Sequence, residues 1–407
     1  MKNKNLWVDN QPLSIFCQDE GAFYYEERAM LMANPGDIVI VDFEIEKNYL
    51  YQLEKMADYS LVNLICLKNR YNDLVESIQK WDQFNILREF VCENNFVLRS
   101  YIPDERIRVL SQDLKIKAIG INFYAENRRQ SDLIMLLNEL NFQMIETLFL
   151  ERSTKEEVEK FFVENRHVLC KPNKSIGGRE IIAINNSIEF KEFYKLNNSK
   201  IEYLLQKKIK ADLEGSVQFI YEDGKFDIYI CETFNPHNSF QGFSYPCKTD
   251  LSFQLKNDAE KVLELFTKKY KSDIDSFGID FIISDNKIYY HDLNPRKTAV
   301  SYILRFLKMA YLNFKQLENF KVACLYFQIN TKLTYNELQK LFVVAMIPNI
   351  VEQGEGIMII NPGTIKIGLI QIVSVSFLSK EKEYLEKIRR LLKQKGVDVQ
   401  WPNTVIQ

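Results

Sequence analysis

The chain has 407 residues, 46 % hydrophobic and 27 % charged, enough to bury a large core and too many for one typical domain. Its formal net charge of −2 argues against nucleic acid or an anionic membrane as the main partner, because both call for a basic surface. Seven cysteines without a Cys-x-x-Cys pair and only three histidines, His167, His237 and His291, argue against zinc, and an odd thiol count suits a reducing cytoplasm.

The N-terminal stretch Met1 to Trp7 starts basic but lacks an apolar run of signal length, and no segment approaches about 18 uninterrupted apolar residues. A cytosolic chain without a membrane segment is expected. Asp37 to Asp42, after Pro35-Gly36, reads as a buried strand opening an α/β domain, and Leu61 to Leu67 reads the same way. Ile116 to Ile121 is a further strand. Ser153-Thr-Lys-Glu156 has the form of a capping box ahead of Val158, Phe161 and Phe162, so a helix should start there.

A short apolar strand then delivers Lys171 and runs into Ser175-Ile-Gly-Gly178. Glycine is scarce, 14 of 407 residues, and Gly177-Gly178 is the one Gly-Gly pair in the chain. A serine and glycines flanked by cations let backbone N–H groups close over phosphates, with the lysine as a point charge, although a plain surface hairpin has the same composition. The stretch matches neither a Walker loop nor a Gly-x-Gly-x-x-Gly fingerprint. Leu204 to Ile209 is an apolar strand ending in polar residues, able to offer backbone groups to an adenine edge. Glu214 follows, placed to accept from ribose hydroxyls. On their own, these features would fit any strand end.

The segment Gly278 to Arg296 reads as a β-hairpin. Alternation puts Ile288, Tyr290, Asp292 and Asn294 on one face and Tyr289, His291 and Leu293 on the other. A three-residue turn at Ser284 to Asn286 would pair position 280 with 290. Asp280 would then lie diagonal to Asp292, roughly 7 Å away, and the two carboxylates could hold a metal or an ion pair. Oxygen donors of this kind suit Mg²⁺, and acids set among Ile, Phe, Tyr and Leu need a counter-charge. Lys268-Lys269 and Arg389-Arg390 read as solvated helix faces. Near the C-terminus Tyr384, Leu385, Ile388, Leu391 and Leu392 mark one face of a helix that Gly396 can end.

In this order, Lys171 with Ser175 to Gly178, Gln206 to Ile209 with Glu214, and Asp280, Asp292 and Asn294 resemble the ATP-grasp superfamily over roughly residues 125 to 305. Pro295 and Arg296 extend the resemblance. It implies an α/β (α+β) ATP-grasp fold that binds ATP and two Mg²⁺ ions. In that pattern Lys171 and Lys207 position the nucleotide and the loop of Ser175, Gly177 and Gly178 closes over it; Gln206, Lys207 and Ile209 meet the adenine; and Glu214 meets the ribose. Asp280, Asp292 and Asn294 hold the metals, while Lys171 and Arg296 serve catalysis, Arg296 by holding the acid or the tetrahedral oxyanion.

Two positions depart from the pattern. The family's upstream phosphate-binding lysine is missing, leaving Arg128 or Arg129 to serve, with Asn141 where a helix-ending glycine is usual. Asp292 also stands where Glu is commoner.

Ser239 to Pro246 and Asn361 to Ile372 resemble the pheganomycin-type peptide ligases, which carry an N-terminal domain before the grasp and a small domain after it. That plan implies a pre-grasp α/β domain over 1–122, an ATP-grasp domain over 123–307 and a small C-terminal α+β domain over 308–407. It also implies a ligase that joins a small-molecule acid to an amine or peptide through an acylphosphate, releasing ADP and phosphate, in small-peptide or natural-product synthesis. Two alternatives stay open: another acid or nucleophile, and a nucleotide-binding regulator without turnover. His237, Gln241, Gly242 and Tyr245 are candidates for the acceptor side. The sequence leaves the oligomeric state open, a homo-oligomer included.

Overall fold

The computed structural model describes residues 4–10, 22–57, 61–68, 71–173, 181–196, 202–222, 224–235, 240–271, 273–310, 320–329, 333–344, 349–350, 354–376 and 380–395. Three sheets organise them.

The first is parallel and built from β1 (Asn5–Val8), β2 (Ile38–Val41), β3 (Asn63–Cys66), β4 (Val97–Ser100) and β5 (Lys117–Ala118), in the order β3-β2-β1-β4-β5. The runs Leu-Trp-Val and Ile-Val-Ile-Val are apolar throughout because both faces are covered, as parallel sheets require. Leu6, Val8, Ile38, Ile40 and Leu98 pack against Leu74, Ile78, Ile107 and Leu110 of the helices Leu74–Gln79 and Glu105–Asp113. Trp7, Val39 and Val41 face a larger core shared with the 3₁₀ segment Ala22–Met32 and the helix Ala299–Ala310. The strands expected around residues 37–42, 61–67 and 116–121 are all present.

A small antiparallel sheet follows: β6 (Thr147–Phe149), β7 (Val168–Pro172), β8 (Ile182–Ile184) and β9 (Tyr203–Lys207), in the order β6-β9-β7-β8. Phe161 and Phe162 of the helix Lys155–Glu164 join its core beside Cys170. That helix is capped one residue later than its sequence suggests. Thr154 is the N-cap and Glu157 closes the box, so that both carboxylates of the first turn lie inside the helix.

The third sheet is antiparallel and has eight strands. β10 (Leu213–Glu222), β11 (Lys225–Phe234), β12 (Gly242–Tyr245), β13 (Phe277–Ser284), β14 (Lys287–Asn294), β15 (Lys321–Gln328), β16 (Gly356–Ile360) and β17 (Leu369–Ser376) run in the order β14-β13-β10-β11-β12-β15-β17-β16. The C-terminal strands therefore continue the same sheet, joined through β12 and β15. Val217, Phe219, Phe277, Ile279, Phe281 and Ile283 turn to the helix Ser252–Tyr270, and Phe219 stacks on Phe277 at 4.2 Å between ring centres. The C-terminal helix Glu381–Gln394 buries Tyr384, Leu385, Ile388 and Leu392, as its spacing implies, and Gly396 lies outside the described residues.

Candidate active site

The hairpin β13–β14 departs from its expected register. Asp285 and Asn286 both take left-handed backbone angles, with φ of 49° and 57°, the conformation a two-residue hairpin turn requires, so the turn is one residue shorter than the sequence suggests. Ser284 pairs with Lys287 and Phe281 with Tyr290. Between Phe281 and Asp280 the register shifts, passing over His291, and Asp280 then pairs directly with Asp292 and Gly278 with Asn294. The bulge also reverses the alternation: Ile288, Tyr290 and Leu293 all enter one core, while Asp292 and Asn294 lie on the opposite face with Asp280. The expected sharing of a face by Ile288, Tyr290, Asp292 and Asn294 is corrected accordingly, and so is the pairing of 280 with 290.

The Asn294 amide donates to Asp280 Oδ2 at 3.1 Å. Burial, and then the neighbouring Asp292 charge, push the Asp280 carboxyl up to about 7. Burial likewise raises Asp292, against the pull of Lys171. Two recessed carboxylates opposite one another are oxygen donors of the kind a hard cation takes, with the Asn294 amide beside them. Among the described residues no group of three or more His, Cys, Asp and Glu side chains gathers as a metal site. The donor set is therefore sparse in protein ligands, which fits Mg²⁺, an ion that takes the balance of its shell from phosphates and water.

Lys171, near the end of β7, is 6 % exposed. Burial lowers its pKa, while Asp292 and Asp280 oppose that fall, so the small sheet delivers this ammonium toward the carboxylates of the large one. His291, left over in the bulge, feels the same lysine. Burial and the Lys171 charge hold its pKa down to about 3, so the imidazole is neutral.

On the expected adenine side, Gln206 is buried and its amide nitrogen donates to Thr147 Oγ1 at 3.1 Å, which ties β9 to β6. The Lys207 N–H is bonded to the Glu146 carbonyl and the Lys208 N–H to the His167 carbonyl. Ile209 follows immediately, and the Lys207 side chain is exposed. Glu214, at the start of β10, accepts from Asn235 Nδ2 at 2.9 Å. Ser175, Gly177, Gly178, His237 and Ser239 lie outside the described residues. Gly242 and Tyr245 are the ends of β12, so this part of the stretch read as a loop is a strand of the large sheet.

Arg296 is 8 % exposed. It donates through Nη1 to the Tyr101 hydroxyl at 2.9 Å and to the Lys297 carbonyl at 3.0 Å, and through Nη2 to Asn294 Oδ1 at 3.0 Å. Arg128 and Arg129, the expected stand-ins for the missing lysine, are both exposed; the residue of that segment that reaches the site is Gln130, whose amide donates to Asp292 Oδ1. Asn141 does take the glycine-like place after the helix Gln130–Glu139, with φ of 55°. The sequence carried no signal for Gln130, Tyr101 or His291, because each reaches the site through tertiary contacts.

Residues 136–300 match the family model of the ATP-grasp domain. A comparison with curated proteins by sequence gives no match. The structure is similar to carboxyaminoimidazole ribonucleotide synthase from Aspergillus clavatus complexed with ATP, with a TM-score of 0.58 and 12 % identity over 96 % of this chain and 99 % of that one. It is similar in the same degree to N5-carboxyaminoimidazole synthetase from Staphylococcus aureus complexed with ADP, with a TM-score of 0.58 and 12 % identity over 95 % and 98 % of the two chains. L-amino acid ligase from Bacillus licheniformis gives a TM-score of 0.58 and 12 % identity over 99 % of this chain and 100 % of that one. The ATP-grasp match thus spans residues 136–300, and the chain shares its fold with these structures along almost its whole length.

Proposed function

We propose that the chain is an ATP-dependent carboxylate-amine ligase that forms a peptide bond through an acylphosphate and releases ADP and phosphate. The observation that carries this reading is the pairing of Asp280 with Asp292, beside Asn294 and within reach of the Lys171 charge. A carboxylate is a poor electrophile because its leaving group would be oxide. Transfer of the γ-phosphoryl group to it creates a phosphate leaving group, which an amine can displace.

For such a transfer a protein mainly positions groups and offsets charge. Asp280, Asp292 and Asn294 would hold Mg²⁺, which when bound neutralises charge on the phosphates. Lys171, kept in a recessed position, sets a cation against a phosphate oxygen. Arg296, at the end of the hairpin, holds the acid's carboxylate or the oxyanion that forms when the amine attacks, a task suited to the guanidinium fork. Ile209 and the Lys207 backbone meet the adenine, Glu214 the ribose, and Ser175, Gly177 and Gly178 the phosphates.

Two similarities support the reading: solved structures of this fold were determined with ATP or ADP, and one neighbour is named for joining amino acids. No described helix is long and apolar enough to cross a membrane. The test is a mass-spectrometric search for ATP-dependent condensation products in a pool of amino acids and short peptides, followed by transfer of ¹⁸O from the acid's carboxylate. Label in released phosphate alongside ADP is expected. Label in AMP, or none in phosphate, would overturn the acylphosphate route.

A further inference from the structure

The helix Gln130–Glu139 begins at the junction of the two halves of the site. The Gln130 N–H donates to the Asn173 carbonyl at 2.8 Å and the Ser131 N–H to Asn173 Oδ1 at 3.1 Å, which clamps the start of the helix to the residue just beyond β7. Asn173 lies two positions after Lys171, and its own amide is held by Glu202 Oε2 at 3.2 Å. From this fixed start the half-buried Gln130 side chain crosses to the large sheet and donates to Asp292 Oδ1.

We propose that Gln130 is a positioning residue for the metal carboxylate: its neutral amide aims Asp292 and links the strand that carries Lys171 to the site of the divalent cation. This rests on the reading of Asp292 as a metal ligand. The chemistry favours an amide at this point. A carboxylate must keep its full charge to bind a divalent cation, and a neutral donor orients it without discharging it. A lysine or arginine in the same place would compete with the cation for the same oxygens. Partners that orient ligating groups in this way are commonly worth about 10- to 100-fold in metal affinity.

The test uses Mn²⁺ as the probe, with saturating ADP, and reads free Mn²⁺ by electron paramagnetic resonance, so no acid or amine substrate is needed. Gln130→Met keeps the length of the side chain and removes the donor; Asn173→Ala removes the side-chain half of the clamp, the bond from the Ser131 N–H, without touching Asp292. Both should weaken Mn²⁺ binding, Gln130→Met by about 10- to 100-fold, with metal-free ADP binding and thermal melting close to those of the wild type. Adding Gln130→Met to Asp292→Asn should cost nothing further, because the two act through one carboxylate. Normal Mn²⁺ affinity in Gln130→Met and Asn173→Ala while Asp292→Asn loses it would overturn the positioning role and leave the metal assignment standing. Normal affinity in Asp292→Asn would instead remove the metal assignment, and the inference with it.

Discussion

Arg296 and Tyr101 join two parts of the chain that lie far apart in sequence: the guanidinium at the end of the large-sheet hairpin donates to a phenol at the end of β4, and its carbon lies 5.1 Å from the centre of that ring. The neighbours strengthen the junction. Lys297 donates to the Ser100 carbonyl at 2.9 Å and pairs with Asp275, which also accepts from Arg99 at 3.0 Å. Arg28 covers the same Tyr101 ring at 4.5 Å. If Arg296 acts on the acid or the oxyanion, Tyr101→Phe should lower turnover several-fold by loosening the guanidinium. Its stabilisation by MgATP should match the wild type in a thermal melt, and a parallel loss of both would point to general misfolding instead.

Asp280, Asp292 and Asn294 are interdependent, so removing charge from the pair should be severe. Asp292→Asn should abolish ADP formation while circular dichroism stays native, and Asp280→Asn and Asn294→Ala should be nearly as damaging. Near-normal ADP formation by Asp292→Asn would refute the metal site.

Lys171→Ala should weaken MgATP binding by an order-of-magnitude cost of about 1.5–3 kcal/mol, the range for a hydrogen bond to a charged group. Calorimetric titration with MgATP checks this. Since burial disfavours the Lys171 ammonium in the free protein, nucleotide binding should raise its pKa and take up protons where it titrates; buffers of different ionisation enthalpy would reveal the uptake.

Glu27 provides a prediction away from the site. Its carboxylate accepts from the Gly363 N–H at 2.7 Å, yet burial pushes its pKa up to about 8. A group raised in this way binds a proton more tightly folded than unfolded, so its contribution to stability is complete below the ordinary value of 4.5 and is lost as pH rises through about 8. At pH 7 the cost is on the order of 3 kcal/mol. Glu27→Gln should flatten the dependence of melting temperature on pH between these limits; an unchanged slope would count against a protonated Glu27.

What the sequence by itself determined is local and periodic. The apolar runs Asp37 to Asp42 and Leu61 to Leu67 read as buried strands, Asn141 stands where a helix-ending glycine is usual, and Lys171, Glu214, Asp280, Asp292 and Asn294 follow one another in an order that resembles the ATP-grasp pattern. The tertiary structure decided the rest, because those features depend on what packs across the chain. Alternation along β14 extends only as far as the bulge, and whether a bulge forms depends on a single core taking in both Tyr290 and Leu293, not on either residue. The entry of β15 to β17 into the large sheet depends on the edge that β12 offers, since a strand's own residues do not name its neighbour. Gln130 is unremarkable in sequence and reaches Asp292 only because Asn173 fixes the turn before it; Tyr101 meets Arg296 only because buried charges hold the parallel sheet against the hairpin. Side-chain chemistry could be read from the chain, but the partners of each group were set by long-range packing, which no local pattern encodes.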